Sequence, residues 1–198
     1  KRRLRLLRLF FIAAVILGGI FGIYKWATAP TTAFGSIVIE GTTKLKQDDV
    51  LKMCGTQQPV NLFVISPSAV KTAIENDVRF EKAETEYFWP GVLAIRVKER
   101  VPAVYIACSY KSYAQVDYNG VVMSVSDGIK GADAPVLSGV VTGNIFFGDT
   151  VKEKNVLAIL SFLSKLDKEV INSISEIAVD SGNNVKFNLS YGYPILLG

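Results

Sequence analysis

Residues 83 to 102 read AETEYFWPGVLAIRVKERVP. This stretch contains a predicted β-hairpin and the point after which the sequence becomes mostly strand-forming. Two runs rich in strand-forming residues, Ala83 to Phe88 and Val92 to Val97, flank Trp89-Pro90-Gly91. A proline-glycine pair between two such runs predicts a tight turn. We therefore expect two antiparallel strands joined at residues 89–91.

The hairpin is followed by Glu99-Arg100-Val101-Pro102, the most informative polar element of the chain. Pro102 fixes its own φ angle and restricts the conformation of Val101, so the segment is a candidate hinge that sets one domain against another. The alternative is an ordinary strand end with solvated charges. We favour the orienting role for Glu99, Arg100 and Pro102.

Upstream of the hairpin, the sequence predicts one strand and two helices. Gly35 to Gly41 has strand composition and ends at a glycine turn, and Gln47 to Cys54 fits a short helix with acidic residues in its first turn. Ser66-Pro67 combines an N-cap with a proline at the first helical position, and an apolar face follows. Residues 34–98 should therefore form one α+β module, a three-stranded sheet with two helices on one face.

Downstream of the hairpin, residues 99–198 read as a mostly β domain with one long helix. The helix is predicted over Lys152 to Leu166, where apolar residues recur with helical spacing. The predicted strands are Val104 to Cys108, Tyr113 to Asp117, Val121 to Val125, Val136 to Gly139, Ile174 to Val179, Val185 to Leu189 and Ile195 to Leu197.

The last predicted strand, Ile195-Leu196-Leu197, lies directly before Gly198. An apolar strand with nothing beyond it would leave an unpaired hydrophobic edge. We expect either that more chain follows Gly198 in the natural protein or that a partner pairs with this strand. Ile195, Leu196 and Leu197 are therefore the candidate partner-binding residues.

The N-terminal residues predict a membrane anchor. Leu9 to Tyr24 contains sixteen residues without a charge, and its apolar flanks lengthen the segment to about 20 residues, enough to cross a bilayer. We assign residues 1–8 to a basic cytoplasmic tail, 9–27 to the span and 28–33 to a linker, with all that follows outside the membrane by the positive-inside rule. A cleaved secretory signal is the alternative, but the apolar run is longer than a signal core and Pro30 would follow the cut.

The charge distribution argues against nucleic-acid binding. The chain has a formal charge of +4, but six of its 22 basic residues lie within residues 1–25, where no acidic residue occurs. The remaining 16 basic and 18 acidic residues leave a charge of −2 on the rest of the chain, with both signs mixed. A duplex-binding surface needs clustered cations on the folded domain.

The sequence contains no recognisable catalytic or ligand-binding motif. It has no histidine, no phosphate-binding glycine loop and only two cysteines, Cys54 and Cys108, so we expect no metal, cofactor or small-molecule substrate. The serine-lysine neighbours Ser164-Lys165 and Lys111-Ser112 fit a helix face and a turn better than a hydrolase site. We expect each cysteine to be a buried free thiol, with one disulfide as the less favoured alternative.

Several motifs occur together in an order that resembles the FtsQ/DivIB family of bacterial division proteins. They follow a basic tail and one span, and they are F-x-x-I-x-I-x-G (Phe34 to Gly41), N-L-F (Asn61 to Phe63), W-P-G (Trp89 to Gly91), I-x-V-x-E-R-x-P (Ile95 to Pro102) and V-D-x-x-G-x-V (Val116 to Val122). The resemblance runs from the span to the last residue.

This resemblance implies that residues 34–98 are a POTRA domain and that residues from Glu99 onward are the family's β domain. It implies a non-enzymatic scaffold at the division septum, which binds FtsB/DivIC and FtsL outside the membrane and through them the septal peptidoglycan synthase. Family members continue past the glycine matched by Gly198, with a helix and a final strand that carry the principal FtsB contact. Those binding residues cannot be assigned to positions of this sequence.

Two other functions are compatible with parts of the sequence. A POTRA-bearing component of a translocation or secretion system is the first, although such proteins usually bring a β-barrel and several POTRA repeats. A membrane-anchored enzyme that acts on the cell wall is the second, and the lack of catalytic motifs argues against it.

Overall fold

The computed structural model describes residues 2–108, 112–129, 131 and 133–196. The chain divides into two compact units, Lys1–Glu99 and Arg100–Gly198. Each unit has its own hydrophobic core.

The first unit begins with the long helix α1, which spans Arg2–Ala27. Within it, Leu6–Ala27 is a segment of 22 residues that is long and apolar enough to cross a membrane. At 1.5 Å per residue this segment measures about 33 Å, close to the thickness of a hydrocarbon core. The predicted apolar helix is thus present, and it begins earlier than the predicted span.

The rest of the first unit has the predicted order of strand, helix, helix, strand, strand. The elements are β1 Ser36–Glu40, α2 Gln47–Met53, α3 Pro67–Glu75, β2 Phe80–Phe88 and β3 Val92–Glu99. The three strands pair in the order β1-β3-β2. Strand β1 runs parallel to β3, with Ser36 opposite Val92, and β2 runs antiparallel to β3, with Phe88 opposite Val92.

Local sequence signals account for the two short helices and their position. Ser66 is the N-cap of α3, because its side chain accepts a hydrogen bond from the Ala69 N–H, and Pro67 occupies the first helical position. Both helices bury their apolar residues in the core that also contains the inner faces of the strands. These residues are Val50, Leu51, Val70 and Ile74.

The second unit is built on one seven-stranded sheet. Its elements are β4 Pro102–Ala107, β5 Tyr113–Asp117, β6 Val122–Ser126, β7 Val136–Ser138, α4 Lys154–Leu163, α5 Lys168–Ser173, β8 Ile174–Val179, β9 Val185–Leu189 and β10 Ile195–Leu196. The strand order is β10-β9-β8-β7-β4-β5-β6. Strand β7 pairs in parallel with both β4 and β8, so the short central strand joins two antiparallel groups.

The helical part of the second unit differs from the prediction in length. The helix expected over Lys152 to Leu166 ends at Leu163, and after a turn a second helix, α5, follows. The buried face of α4 is Val156, Ile159, Leu160 and Leu163, which recur at spacings of three and four. Leu157 is 37% exposed, so it does not belong to this buried face.

The turn between β5 and β6 differs from the hairpin turn that its Asn119-Gly120 pair predicts, in which both residues tolerate a positive φ angle. Gly120 has a φ of +82°, but Asn119 does not adopt a positive φ. Asp117 organises the turn instead, because its Oδ1 accepts hydrogen bonds from the N–H groups of Asn119 and Val121 at 3.0 and 2.6 Å. A single glycine in the left-handed region therefore suffices.

Candidate partner-binding edge

Strand β10 lies at one end of the seven-stranded sheet. It pairs antiparallel with β9, with Ile195 opposite Phe187 and Leu196 opposite Lys186. Among the residues that the structure describes, no strand pairs with its other side. Ile195 is 46% exposed and Leu196 74% exposed, and the third predicted site residue, Leu197, lies outside the described residues.

An apolar groove adjoins this edge. It has a volume of about 270 Å³ and lies between α4 and the strands β8 and β9. The rings of Phe162 on α4 and Phe187 on β9 stack at its wall, with centroids 5.9 Å apart. The other apolar side chains that line it are Ala158, Ile159, Val179 and Val185. Because Phe187 is opposite Ile195, the groove and the edge strand meet at this residue pair.

Sequence reasoning did not identify this groove. Ala158 and Phe162 are spaced four apart on α4, a pattern that would have placed them on one helix face. Nothing in the sequence showed that this face borders β9, because the packing of α4 on β9 is a tertiary contact. Two tyrosines of the β9–β10 turn, Tyr191 and Tyr193, are more than 90% exposed beside the same strands.

The residues predicted to form a hinge are held by side-chain contacts within their own units. In the first unit, the Glu99 carboxylate accepts a hydrogen bond from Thr42 Oγ1 and pairs with Lys44 Nζ at 2.7 Å. In the second unit, Arg100 forms a buried ion pair with Asp117, and Pro102 lies opposite Asp117 at the start of β4. The division of the chain falls at the peptide bond between Glu99 and Arg100.

Two titratable groups of the second unit, Tyr105 and Glu176, have shifted pKa values that keep them in their usual charge states at neutral pH. Burial, together with the hydrogen bond to Asp133, raises the pKa of Tyr105 to about 12, so this phenol stays protonated at neutral pH. Hydrogen bonds from Ser138 and Asn188 lower the pKa of the Glu176 carboxyl, so it stays ionised. A general acid or base that works near neutral pH needs a pKa shifted toward neutrality, whereas both of these pKa values are shifted away from it.

Within the part of the chain that the structure describes, Cys54, Cys108 and Ser164 show no contact that would activate a nucleophile. Burial raises the pKa of both cysteine thiols, Cys54 and Cys108, and a protonated thiol is a weak nucleophile. Both cysteines are free and half-buried. Ser164 Oγ donates to the Ser161 carbonyl at 2.9 Å, while Lys111 of the other serine-lysine neighbours lies outside the described residues.

The described residues also contain no metal-binding cluster. Within residues 2–108, 112–129, 131 and 133–196, no group of three or more Cys, Asp or Glu side chains is placed to hold an ion. In the same ranges, every buried side-chain nitrogen or oxygen has a hydrogen-bond partner. The candidate site of the second unit is the apolar edge at β10, where Ile195 and Leu196 are exposed.

Comparison with known proteins matches both units. Residues 32–100 match the POTRA domain of FtsQ type, and residues 105–198 match the C-terminal domain of the cell division protein FtsQ/DivIB. The two matched segments follow the division of the chain at Glu99 and Arg100 closely.

Two relatives of the chain are cell division proteins named FtsQ and DivIB. The chain is 24% identical to the cell division protein FtsQ of Syntrophotalea carbinolica over 166 residues, which are 82% of this chain and 58% of that protein. It is 24% identical to the cell division protein DivIB of Clostridium tetani over 156 residues, 76% of this chain and 58% of that protein. The chain thus spans less than two thirds of the length of these two relatives.

A solved structure is similar to part of the chain. The major extracytoplasmic domain of the bacterial cell division protein DivIB from Geobacillus stearothermophilus, in its trans isomer, is 19% identical. The match covers 50% of this chain and 78% of that domain, with a TM-score of 0.37. The two domain matches and the named relatives show that the chain belongs to the FtsQ/DivIB family of bacterial cell-division proteins.

Proposed function

We propose that this protein is a non-enzymatic scaffold of the divisome that binds FtsB/DivIC and FtsL outside the membrane and links them to septal peptidoglycan synthesis. The observation that carries the proposal is the edge strand β10, with Ile195 and Leu196 exposed and no described strand on its other side. An edge strand offers unpaired main-chain N–H and C=O groups to an incoming polypeptide.

Strand addition explains how binding is achieved without catalytic residues. Main-chain hydrogen bonds supply affinity, and pockets for alternate side chains supply specificity. The groove beside Phe162 and Phe187 offers such a pocket next to β10. The pKa values of Tyr105 and Glu176 are shifted away from neutrality, and burial raises the pKa of both cysteine thiols. These shifts support a role in binding over a role in catalysis.

We further infer the topology of a single-pass membrane protein at the septum. The segment Leu6–Ala27 is the span, and the basic residues before it favour a cytoplasmic N-terminus. Both folded units then lie outside the membrane. In this topology the partners of both units are proteins and the membrane, and neither nucleic acid nor a small-molecule substrate is among them.

The orienting role of Glu99, Arg100 and Pro102 is part of this proposal. The Glu99 side chain is held by the first unit and the Arg100 side chain by the second, and Pro102 fixes its own φ angle, so little chain is left free at the junction. A scaffold that presents an edge strand benefits from such a restricted junction. The proposed role is positional, and it requires no contact with a ligand.

The test is a pull-down against FtsB/DivIC together with FtsL. The complete natural extracytoplasmic region is compared with a version that ends at Gly198, and each carries either Leu196→Lys or the control Tyr191→Lys, an exposed residue of the same hairpin outside β10. We expect Leu196→Lys to weaken capture at least tenfold and Tyr191→Lys to leave it unchanged.

The outcome also separates the role of the edge from that of any later residues. If only the longer form binds, the scaffold proposal stands and residues after Gly198 complete the binding surface. If neither form binds while both are folded, the proposed partners are wrong, and a role of the POTRA domain in translocation becomes the function to test.

A further inference from the structure

Three uncharged segments meet at one end of the POTRA domain. Residues 26–39, 53–70 and 87–95 contain no Asp, Glu, Lys or Arg, although 20% of the chain is charged. The structure joins them by main-chain hydrogen bonds. The Phe34 N–H donates to the Val60 carbonyl at 2.8 Å, and the Ser36 N–H donates to the Gly91 carbonyl at 2.9 Å.

This uncharged end is fastened to the last turn of α1. Asn61, which is 4% exposed, donates through Nδ2 to the carbonyls of Ala27 and Ala29 at 2.8 and 3.3 Å. Thr32 Oγ1 donates to the Trp26 carbonyl at 2.6 Å. A helix end leaves its last carbonyls without partners, and here side chains from the linker and from a loop of the POTRA domain satisfy them. Hydrogen bonds therefore hold the linker to the POTRA domain at both ends, from Asn61 at its start and to Val60 at its end.

The same end exposes large apolar side chains, whereas the opposite end carries ion pairs. Trp89 is 81% exposed, Phe63 52% and Val64 44%, and Trp26 in the last turn of α1 is 68% exposed. The ion pairs toward the other end of the strands include Lys44–Glu99, Lys82–Glu84 and Lys98–Glu81, and Arg96 pairs with Glu40 and Glu86 between the two ends. A five-residue strand such as β1 separates the two ends by about 17 Å.

The depth of the apolar end follows from the length of the span. The 22 residues of Leu6–Ala27 cover about 33 Å, so Ala27 lies near the edge of a hydrocarbon core about 30 Å thick. Each headgroup layer adds about 5–7 Å. Asn61 is bonded to Ala27, and Phe63 follows Asn61 by two residues, at most about 7 Å of chain. These side chains therefore lie within reach of the headgroup layer.

We propose that Trp89, Phe63 and Val64 form a second membrane contact, seated in the phospholipid headgroup layer beside Trp26, and that Asn61 holds the POTRA domain in this position. Tryptophan is enriched at this interface because its ring is apolar and its N–H is polar. Uncharged surroundings remove the cost of bringing carboxylates close to lipid phosphates. The inference rests on the proposed single-pass topology, and it is independent of the division partners.

The two tryptophans of the chain provide the test, because each can be observed alone. The full chain is reconstituted in vesicles of phosphatidylcholine and phosphatidylglycerol, with and without acyl chains brominated near the headgroup. Trp26→Phe leaves Trp89 as the only tryptophan, and its emission is excited at wavelengths that tyrosine does not absorb. We expect brominated lipid to quench its fluorescence at least twofold more than that of a control tryptophan at the charged end.

The control emitter is Lys82→Trp in a background of Trp26→Phe and Trp89→Phe, since the Lys82 side chain is 60% exposed at the opposite end of the domain. Val64→Trp in the same background is a second reporter of the contact. Asn61→Ala, added to Trp26→Phe, should reduce the lipid quenching of Trp89 by at least half. Circular dichroism confirms that each variant is folded.

The outcomes separate this inference from the topology on which it rests. If Trp89 and the Val64→Trp reporter are quenched no more than the Lys82→Trp reporter, while Trp26 is quenched in the Trp89→Phe variant, the second membrane contact is overturned and the span is retained. If Trp26 is not quenched either, both fail. Unchanged quenching in the Asn61→Ala variant overturns the fastening role of Asn61.

Discussion

At the scale of single residues, Asp117 is a buried polar side chain of the β domain that combines several hydrogen bonds with an ion pair. It is 2% exposed, accepts hydrogen bonds from the N–H groups of Asn119 and Val121, and pairs with Arg100. A buried ion pair adds little net stability compared with an apolar pair, but the loss of one partner leaves an uncompensated charge. The start of the domain therefore depends on both partners being present.

Asp117→Ala should destabilise the β domain by about 3–5 kcal/mol, because it leaves the buried Arg100 guanidinium without its carboxylate and two N–H groups without an acceptor. Urea unfolding followed by circular dichroism measures this change. Glu84→Ala, which breaks the exposed pair with Lys82, is the control and should leave the unfolding midpoint unchanged. Equal effects of the two substitutions would contradict the structural role of Asp117.

Glu176 should make the β domain sensitive to acid. Hydrogen bonds from Ser138 and Asn188 lower the pKa of its carboxyl from the usual 4.5. Because the folded pKa lies below the unfolded one, the stabilisation is complete above pH 4.5 and is lost as the pH falls through the lowered value. Urea midpoints measured across this range should fall less steeply for Glu176→Gln than for the natural chain. Ser138→Ala removes one donor and should reduce the slope to a smaller extent.

At the scale of elements, a glycine with a positive φ angle follows each of two strands, β1 and β7, that have a parallel neighbour. Gly41 follows β1 and Gly139 follows β7, with φ angles of +87° and +76°. A Cβ atom at Gly139 would lie 1.9 Å from the Val179 carbonyl oxygen of β8, and one at Gly41 would lie 2.2 Å from the Val97 carbonyl oxygen of β3. In both places the chain leaves the sheet directly against a neighbouring strand.

Gly139→Ala should therefore destabilise the β domain by about 1–3 kcal/mol from the left-handed backbone alone, with a further cost from the overlap with Val179. Gly143→Ala is the matched control, since no atom lies within 4 Å of its added Cβ. Thermal unfolding of the two variants measures the difference. A Gly139→Ala protein as stable as the control would show that the end of β7 can move away from β8.

The elements themselves were largely predictable, but their arrangement was not. Tyr113–Asp117, Ile174–Val179 and Val185–Leu189 have the predicted bounds, because alternating or continuous apolar runs between turn residues mark strands directly. Helix α5 was missed, since six residues are too few to show a helical period. The parallel pairing of β7 with β4 and β8 was also missed, because residues distant in sequence decide it.

At the scale of the whole molecule, the division between the two units is sharp. The contacts of Glu99 lie with Thr42 and Lys44 of the first unit, and the ion pair of Arg100 lies with Asp117 of the second. Two adjacent residues thus belong to different units. Such a boundary leaves little chain that could act as a flexible linker.

Fragments cut at this boundary should fold separately. A fragment of residues 100–198 should unfold cooperatively in urea, whereas a fragment of residues 101–198 should be less stable by about 3–5 kcal/mol, because Asp117 then lacks its Arg100 partner. Removal of Val101 as well, in a fragment of residues 102–198, is the control, and it should add little because Val101 is half-exposed. Equal stability of fragments 100–198 and 101–198 would place the boundary elsewhere.

The sequence by itself determined the apolar N-terminal helix, the α+β order of the first unit, the mostly β character of the second and the family to which both belong. These properties depend on local composition, periodicity and short motifs, which act between residues close in the chain. The tertiary structure alone decided the strand order of the seven-stranded sheet, the groove beside β10 and the meeting of three uncharged segments at Asn61. Each of these depends on contacts between residues far apart in sequence, and the energy of such contacts is set only once the chain has folded.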